Sequence, residues 1–210
     1  MIKLDLNYCF DKYEENQVVL YGDIFGFSSI MKKINNNKNI KSDFNVNLDN
    51  IYNITLFSDS KKWKDEGVNF IWLSDSFAFA GSIDKWKEIK KAFFEFASVL
   101  LSSNLIFSGA LAIGSLHNEH NIMGYPFVEA VRTQEKMHYP EIIFCQNNTF
   151  FDNEFTYIKK KKYYWNYIKE LLVINPSLKP IIDDICKNGC NNKKRRISKK
   201  YACLRKLVDL

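Results

Sequence analysis

Three histidines, four prolines and eight glycines are few for a chain of 210 residues. Cysteine is scattered and odd in number: Cys9, Cys145, Cys186, Cys190 and Cys203. That pattern argues against a disulfide framework in a chain long enough to bury a core without one. Cys186 and Cys190 have no second pair and no histidine nearby, so their spacing does not read as a zinc site. His117 and His120 lie among Asn and Glu and read as solvent-facing, while His138 follows a helical stretch and complements its C-terminal dipole. No segment reaches the roughly 18 apolar residues of a membrane span. The opening MIKLDLNYCFDKYEEN has early acids and no apolar core of the signal-peptide kind. The expectation is a cytoplasmic protein with no membrane partner.

What the chain does have is apolar material, 46% hydrophobic and 15% aromatic, enough for one large domain or a domain with an appendage. Its net charge of +6 is unevenly spread: residues 159–210 carry 15 Lys/Arg against 4 Asp/Glu, so the rest is acidic. KKKK at 159–162 and KKRRISKK at 193–200 concentrate the excess. A solvated basic helix, or a surface steering an anionic small substrate, explains this more simply than nucleic-acid contact does.

Residues 18–24 read as a buried strand, followed by a helix through IMKKI with Ser28 or Ser29 as its cap. NNNKN at 35–39 breaks the pattern, and 43–64 resumes as helix. VNFIWLSDSFAFAG, residues 68–81, reads as two short strands hinged at SDS. Trp86, Ile89, Phe93, Phe96, Ala97, Leu100 and Leu101 recur at helical spacing and make a core stripe. LIFSGALAIGSL is a strand, HNEHN a polar turn, Ile122–Met123 a short returning strand, PFVEAVRTQEKMH a helix and EIIFC a strand. Beyond about residue 163 the pattern is helical, punctuated by Pro176 and Pro180. The order predicts an α+β protein with helices on one face of a largely antiparallel sheet. There is no internal repeat.

Two acids stand in comparable places. Asp23 leaves the first strand in VVLYGDIFGFSSI, and Asp75 sits in the hairpin turn LSDSF. If the strand lies beside that hairpin, the carboxylates meet at one edge, where they repel unless a cation intervenes. Hard oxygen ligands of this kind suit Mg²⁺ or Mn²⁺ with phosphates. Gly22 and Gly26 allow close backbone approach, and the following helix can present its amides to an anion. Gly124 precedes a helix carrying Arg132 two turns in, a spacing able to aim a guanidinium at a phosphate.

Together, YGDIFGFSS, LSDSFAFAG, SGALAIGSL and NIMGYPFVEAVR resemble, in order and spacing, the motifs of the class III nucleotide cyclases. The resemblance covers about residues 18–145. It implies the family's ferredoxin-like α+β fold, a mainly antiparallel sheet with helices packed on it, as a catalytic domain over 1–160 with a basic helical C-terminal extension over 161–210. It further implies two divalent cations, Mg²⁺ or Mn²⁺, on Asp23, Asp75 and the carbonyl of Ile24. Phe25, Gly26, Phe27 and Ser28 would line the triphosphate cradle, and Arg132 would steady transition-state charge. In this family the acids and the arginine come from different protomers, which implies a homodimer.

The departures concern the base. The family's asparagine four residues before the arginine is Val128 here. Ile71 stands where purine cyclases carry lysine or glutamate, and Asn121 stands at the other base-reading position. An apolar residue and an amide make a poor purine reader. The chain in this respect resembles the pyrimidine cyclases of the bacterial Pycsar antiphage system, as does YYWNYIKELL. That implies UTP or CTP as substrate, a cyclic pyrimidine nucleotide as product, and a separate effector that senses it. A lysine among Lys159–Lys162 could hold the triphosphate tail. The competing readings are a purine cyclase of the same fold and a catalytically dead nucleotide- or nucleic-acid-binding module.

Overall fold

The computed structural model describes residues 14–36, 59–117, 122–146 and 155–209. The chain order is strand β1 (Glu14–Ile24), helix α1 (Phe27–Asn36), helix α2 (Asp59–Asp65), strands β2 (Asn69–Leu73) and β3 (Ser76–Ser82), and the long helix α3 (Trp86–Ser102). Strand β4 (Phe107–His117), short strand β5 (Met123–Gly124), helix α4 (Tyr125–Gln134) and strand β6 (Ile142–Phe144) follow. A hairpin of β7 (Thr156–Lys159) and β8 (Lys162–Trp165) then leads into helices α5 (Tyr167–Ile174), α6 (Lys179–Cys190) and α7 (Arg195–Asp209).

All the described strands join one sheet, ordered β2-β3-β1-β4-β6-β8-β7, with β5 attached to β4. Pairing is antiparallel except between β4 and β6. The sheet is α+β in character, as its sequence pattern predicts.

Alternation along SFAFAG explains how it is covered. Phe77 and Phe79 turn to one face, where they join Leu20, Phe107, α3 and the last three helices in a single core. Phe77, Phe79, Phe93, Phe96 and Phe107 meet there largely edge to face, with centroids 4.8–6.1 Å apart. Ala78 and Ala80 turn to the other face with Val19, Ala110 and Ala112. That face is not bare: α4 packs on it through Ala130 and Phe127. Small side chains on the sheet let the helix axis come close, so the expected one-sided layer is in fact two-sided. Periodicity marks α4 as amphipathic but cannot say which face of the sheet receives it.

Two further differences from the sequence reading have local causes. The helical pattern expected beyond about residue 163 begins only at Tyr167, because β8 runs to Trp165 and the KKKK run spans the turn of the β7–β8 hairpin, where Lys160 and Lys161 both have positive φ. Helix α1 begins at Phe27, ahead of both serines. The carbonyl of Gly26, itself at φ 73°, accepts the amides of Ser29 and Ile30, so the glycine supplies the first helical bonds. Residues 37–58, which include most of the helix expected over 43–64, lie outside the described residues, as do residues 118–121, all of the HNEHN stretch except His117, which ends β4.

The C-terminal helices are not a loose appendage. Leu171, Ile182, Ile185, Leu204 and Leu207 are buried in the same core as α3. Asn166 donates to the carbonyl of Leu207 at 3.0 Å, and Glu170 accepts from Trp165 at 2.6 Å as well as from Lys90. Helices α6 and α7 touch closely at Gly189: a Cβ there would lie 2.0 Å from the ring of Tyr201. No helix among the described residues is long and apolar enough to cross a membrane.

Candidate active site

β1 is central in the sheet, between β3 and β4, so its final residues have neighbours on both sides. Asp23 pairs in register with Ser76 of β3 and Ser108 of β4. The turn before Ser76 brings Asp75 to the same edge: the amide of Ile24 donates to the carbonyl of Asp75 at 2.8 Å. The two acids, far apart in the chain, therefore share one corner.

Their electrostatics are those of a site awaiting a positive partner. Burial, followed by the nearby charge of Asp75, pushes the Asp23 carboxyl up to about 6. Bonds from Ser76 and Gln134, and the charge of Lys200, oppose that rise. The Ser76 hydroxyl donates to Asp23 Oδ1 at 3.5 Å, a long contact. Gln134, buried at the end of α4, donates to the fully buried Ser108 hydroxyl at 3.0 Å and ties the helix to the acid corner. The Tyr21 hydroxyl is also held above its ordinary range, by burial first and by both carboxylates in addition.

Below the acids, the core is closed by Phe77, whose ring lies where a side chain at residue 22 would stand. A Cβ on Gly22 would fall 2.3 Å from Phe77 Cζ. Gly22→Ala should therefore displace the ring beside the site and cost about 1–3 kcal/mol, read as a lower denaturant midpoint with unchanged slope.

Adjoining the acids is an apolar cavity of about 340 Å³, lined by Ile71, Ala78, Ile122 and Phe127 together with Tyr21 and Ser76. Among its described lining residues, the polar side chains are Tyr21 and Ser76, the same two that touch the acid corner. Ile71 thus opens onto the cavity. Trp72, its neighbour, packs on the opposite, phenylalanine-rich face, as strand alternation predicts.

The other predicted residues separate. Phe25 and Gly26 form the turn between β1 and α1, Gly26 exposed with open space where a Cβ would stand, and Phe27 and Ser28 begin the helix. Phe25 is fixed by its amide, which donates to the Ile106 carbonyl at 2.8 Å. Arg132 is exposed, while Ala130 and Gln134 on either side of it in α4 are buried against the sheet. Its side chain therefore leaves the outer face of α4, away from the acids of its own chain. Asn121 lies outside the described residues. Lys159 is engaged elsewhere, 2.7 Å from Glu141 and over the rings of Tyr139 and Tyr164. It belongs to β7, the far edge of the sheet from β1's neighbour β3, so the KKKK run does not face the acid corner.

A cation that the sequence reading did not select does face it. Lys200, in α7, places its ammonium 3.4 Å from the centroid of Phe25, and its charge acts on Asp23. Ser76 and Gln134 were equally unassigned. Ser76 follows Asp75 directly and Gln134 lies one helical turn past the buried Ala130, so both had a local signal; Lys200 had none.

The donor set suits a hard divalent cation. Two carboxylates near enough for the charge of one to act on the other are hard oxygen donors, although no cluster of three or more acidic, histidine or cysteine side chains able to hold a metal ion occurs among the described residues.

No protein-family model matches the chain, and no curated protein matches it. Among solved structures it is similar to a bacterial light-regulated adenylyl cyclase, with 14% identity over 77% of this chain and 97% of that one, at a TM-score of 0.43. A second structure of the same description has 12% identity over 79% of this chain and a TM-score of 0.42; there the chain spans 58% of the other's length. What the geometry itself defines is an α+β protein with a two-carboxylate corner beside an apolar cavity.

Proposed function

We propose that the protein is a nucleotide cyclase that closes a pyrimidine nucleoside triphosphate, UTP or CTP, to its 3′,5′-cyclic monophosphate. The observation that carries this reading is the meeting of Asp23 and Asp75 across the β1–β3 pairing, joined by the Ile24 amide. The motif resemblance of the surrounding segments supplies the reaction class.

In the reaction the 3′-oxygen forms a bond to the α-phosphorus as the bond to the β-phosphate oxygen breaks, and pyrophosphate leaves with the electron pair. The hydroxyl proton is lost to the surrounding water. Two divalent cations, Mg²⁺ or Mn²⁺, supply charge neutralisation and a lowered hydroxyl pKa when bound. Asp23 and Asp75 would hold them through their carboxylates, with the Ile24 carbonyl as a further ligand. The turn at Phe25 and Gly26 and the start of α1 at Phe27 and Ser28 receive the phosphates, because the backbone at Gly26 is open to approach. The cavity beside Ile71 receives the base. Its apolar walls and two hydroxyls select by size more than by hydrogen bonds, which favours a single-ring base. Asn121 is proposed as a second group at the base edge.

Arg132 would act across a dimer. Tyr125, Val128 and Arg132 recur along the outer face of α4, with Tyr125 70% and Val128 41% exposed. A second copy covering this apolar strip would carry the guanidinium to its partner's acids and make two equivalent sites. On the motif resemblance to the Pycsar cyclases, the product is further proposed to be a second messenger in antiphage defence, received by a separate cyclic-nucleotide-sensing effector.

Incubation with each of the four ribonucleoside triphosphates and Mn²⁺, followed by mass spectrometry, tests the reading. Cyclic UMP or cyclic CMP with pyrophosphate is the expected result. Cyclic AMP or cyclic GMP would move the assignment to a purine cyclase, and the absence of any cyclic product would overturn it.

A further inference from the structure

The last helix, α7, does something at the acid corner that an appendage would not do. Leu204 and Leu207 anchor it in the core, and the fit of Tyr201 against Gly189 sets its rotation. So fixed, it lays Lys200 over Phe25, in the turn between β1 and α1, with Arg196 one helical turn earlier close enough to act on the Lys200 charge. Arg196 itself, with Arg195 and Lys199, lines a cavity of about 530 Å³ together with His138 and Tyr139. Thus α7 presents a basic face from the acid corner outward to an open basic cavity.

We propose that Lys200 is the cation that binds the triphosphate tail, and that α7 is part of the substrate site, with Arg196 extending the same subsite. This rests on the cyclase reading for the identity of the nucleotide, but the anion subsite stands on the placement of α7. Three features support it. The ammonium rests on an aromatic face, which holds it in place without neutralising it. Its charge reaches Asp23, so a phosphate bound at the acid corner would lie within its influence. Arg196, one helical turn earlier, lines the adjoining cavity with Arg195 and Lys199 and adds positive charge to the same face of α7. A lysine suits this task as a compact point charge on a mobile stem.

The probe is inorganic tripolyphosphate with Mg²⁺, titrated calorimetrically into the full chain. Lys200→Met, which keeps an unbranched stem of similar length and removes the charge, should bind about tenfold more weakly or worse, as expected when one charge-assisted contact is removed. Lys200→Arg should recover most of the affinity, and Lys64→Met, exposed on α2 before the end of β2 opposite the acid corner, should leave it unchanged. With nucleotide, Lys200→Met should raise KM more than it lowers kcat. Tripolyphosphate affinity unaffected by Lys200→Met, no binding by the unsubstituted chain, or a faster Lys200→Met enzyme (the mark of an inhibitory lysine) would each overturn the proposal. Failure of the cyclase reading looks different: Lys200-dependent tripolyphosphate binding without any cyclic product.

Discussion

Asp23→Asn and Asp75→Asn should each lower cyclisation by about 10³-fold or more, while calorimetric Mn²⁺ binding disappears in the same variants, because each removes a carboxylate from the shared corner. The folded protein should survive both changes, and Asp23→Asn should even stabilise it in the absence of divalent cation. The sign follows from the raised proton affinity. Asp23 titrates near 6 in the folded chain against 3.8 for the free carboxyl, so the native state disfavours the anion. Native stability contributed by the neutral form is present below about pH 4 and is lost as pH rises through 6. The neutral asparagine escapes that loss. Since Asp23 is only partly buried, solvent screening reduces the gain to about 1 kcal/mol, or roughly 2–4 °C in Tm at pH 7.5. At pH 3.5 the two proteins should melt together. Thermal scans at the two pH values in EDTA check this. Loss of activity with equal melting at both would show that neither burial nor the Asp75 charge perturbs Asp23 in the folded chain.

The second large effect concerns Arg132. Arg132→Ala should reduce kcat by about 10²–10³, the scale of a removed transition-state donor. The more discriminating measurement mixes this variant with Asp75→Asn, each inactive alone. If the site is shared between protomers, random reassortment gives half heterodimers, each with one intact site, and activity returns to about a quarter of the unsubstituted level. A mixture as inactive as its parts would place the arginine in the site of its own chain. That outcome conflicts with the outward direction of Arg132 from α4, where Ala130 and Gln134 occupy the inner face. The exposed Tyr125 and Val128 beside it give the same experiment a structural control: Tyr125→Glu should abolish the recovery by keeping the protomers apart.

Much of the architecture was legible in one dimension. SFAFAG announces a strand with a large face and a small face, and the structure puts the aromatic core on one and a close-packed helix on the other. The hairpin at SDS, the α3 stripe and the strand leaving Gly22 all follow from period-2 or helical spacing. Less legible was the β7–β8 hairpin, because four successive lysines look like a charged helix end until two of them adopt positive φ. The one-sided layer failed for a related reason: amphipathicity gives α4 an inner face without naming the surface it meets.

The candidate site divides in the same way. Asp23 and Asp75 could be picked out because each ends or begins a strand, and antiparallel pairing then brings such ends together. Ile71 could be aimed by counting along its strand. Lys200 could not, since its approach to Phe25 depends on the angle at which α7 settles against α6 and the core, and no local rule encodes that angle. Near-neighbour preferences along the backbone were thus sufficient for the strands, the long helix and the paired acids. The side of the sheet that α4 covers, and the placing of Lys200 rather than one of Lys159–Lys162 near the acids, came from packing between distant segments, where burial of apolar area sets the geometry and charge follows.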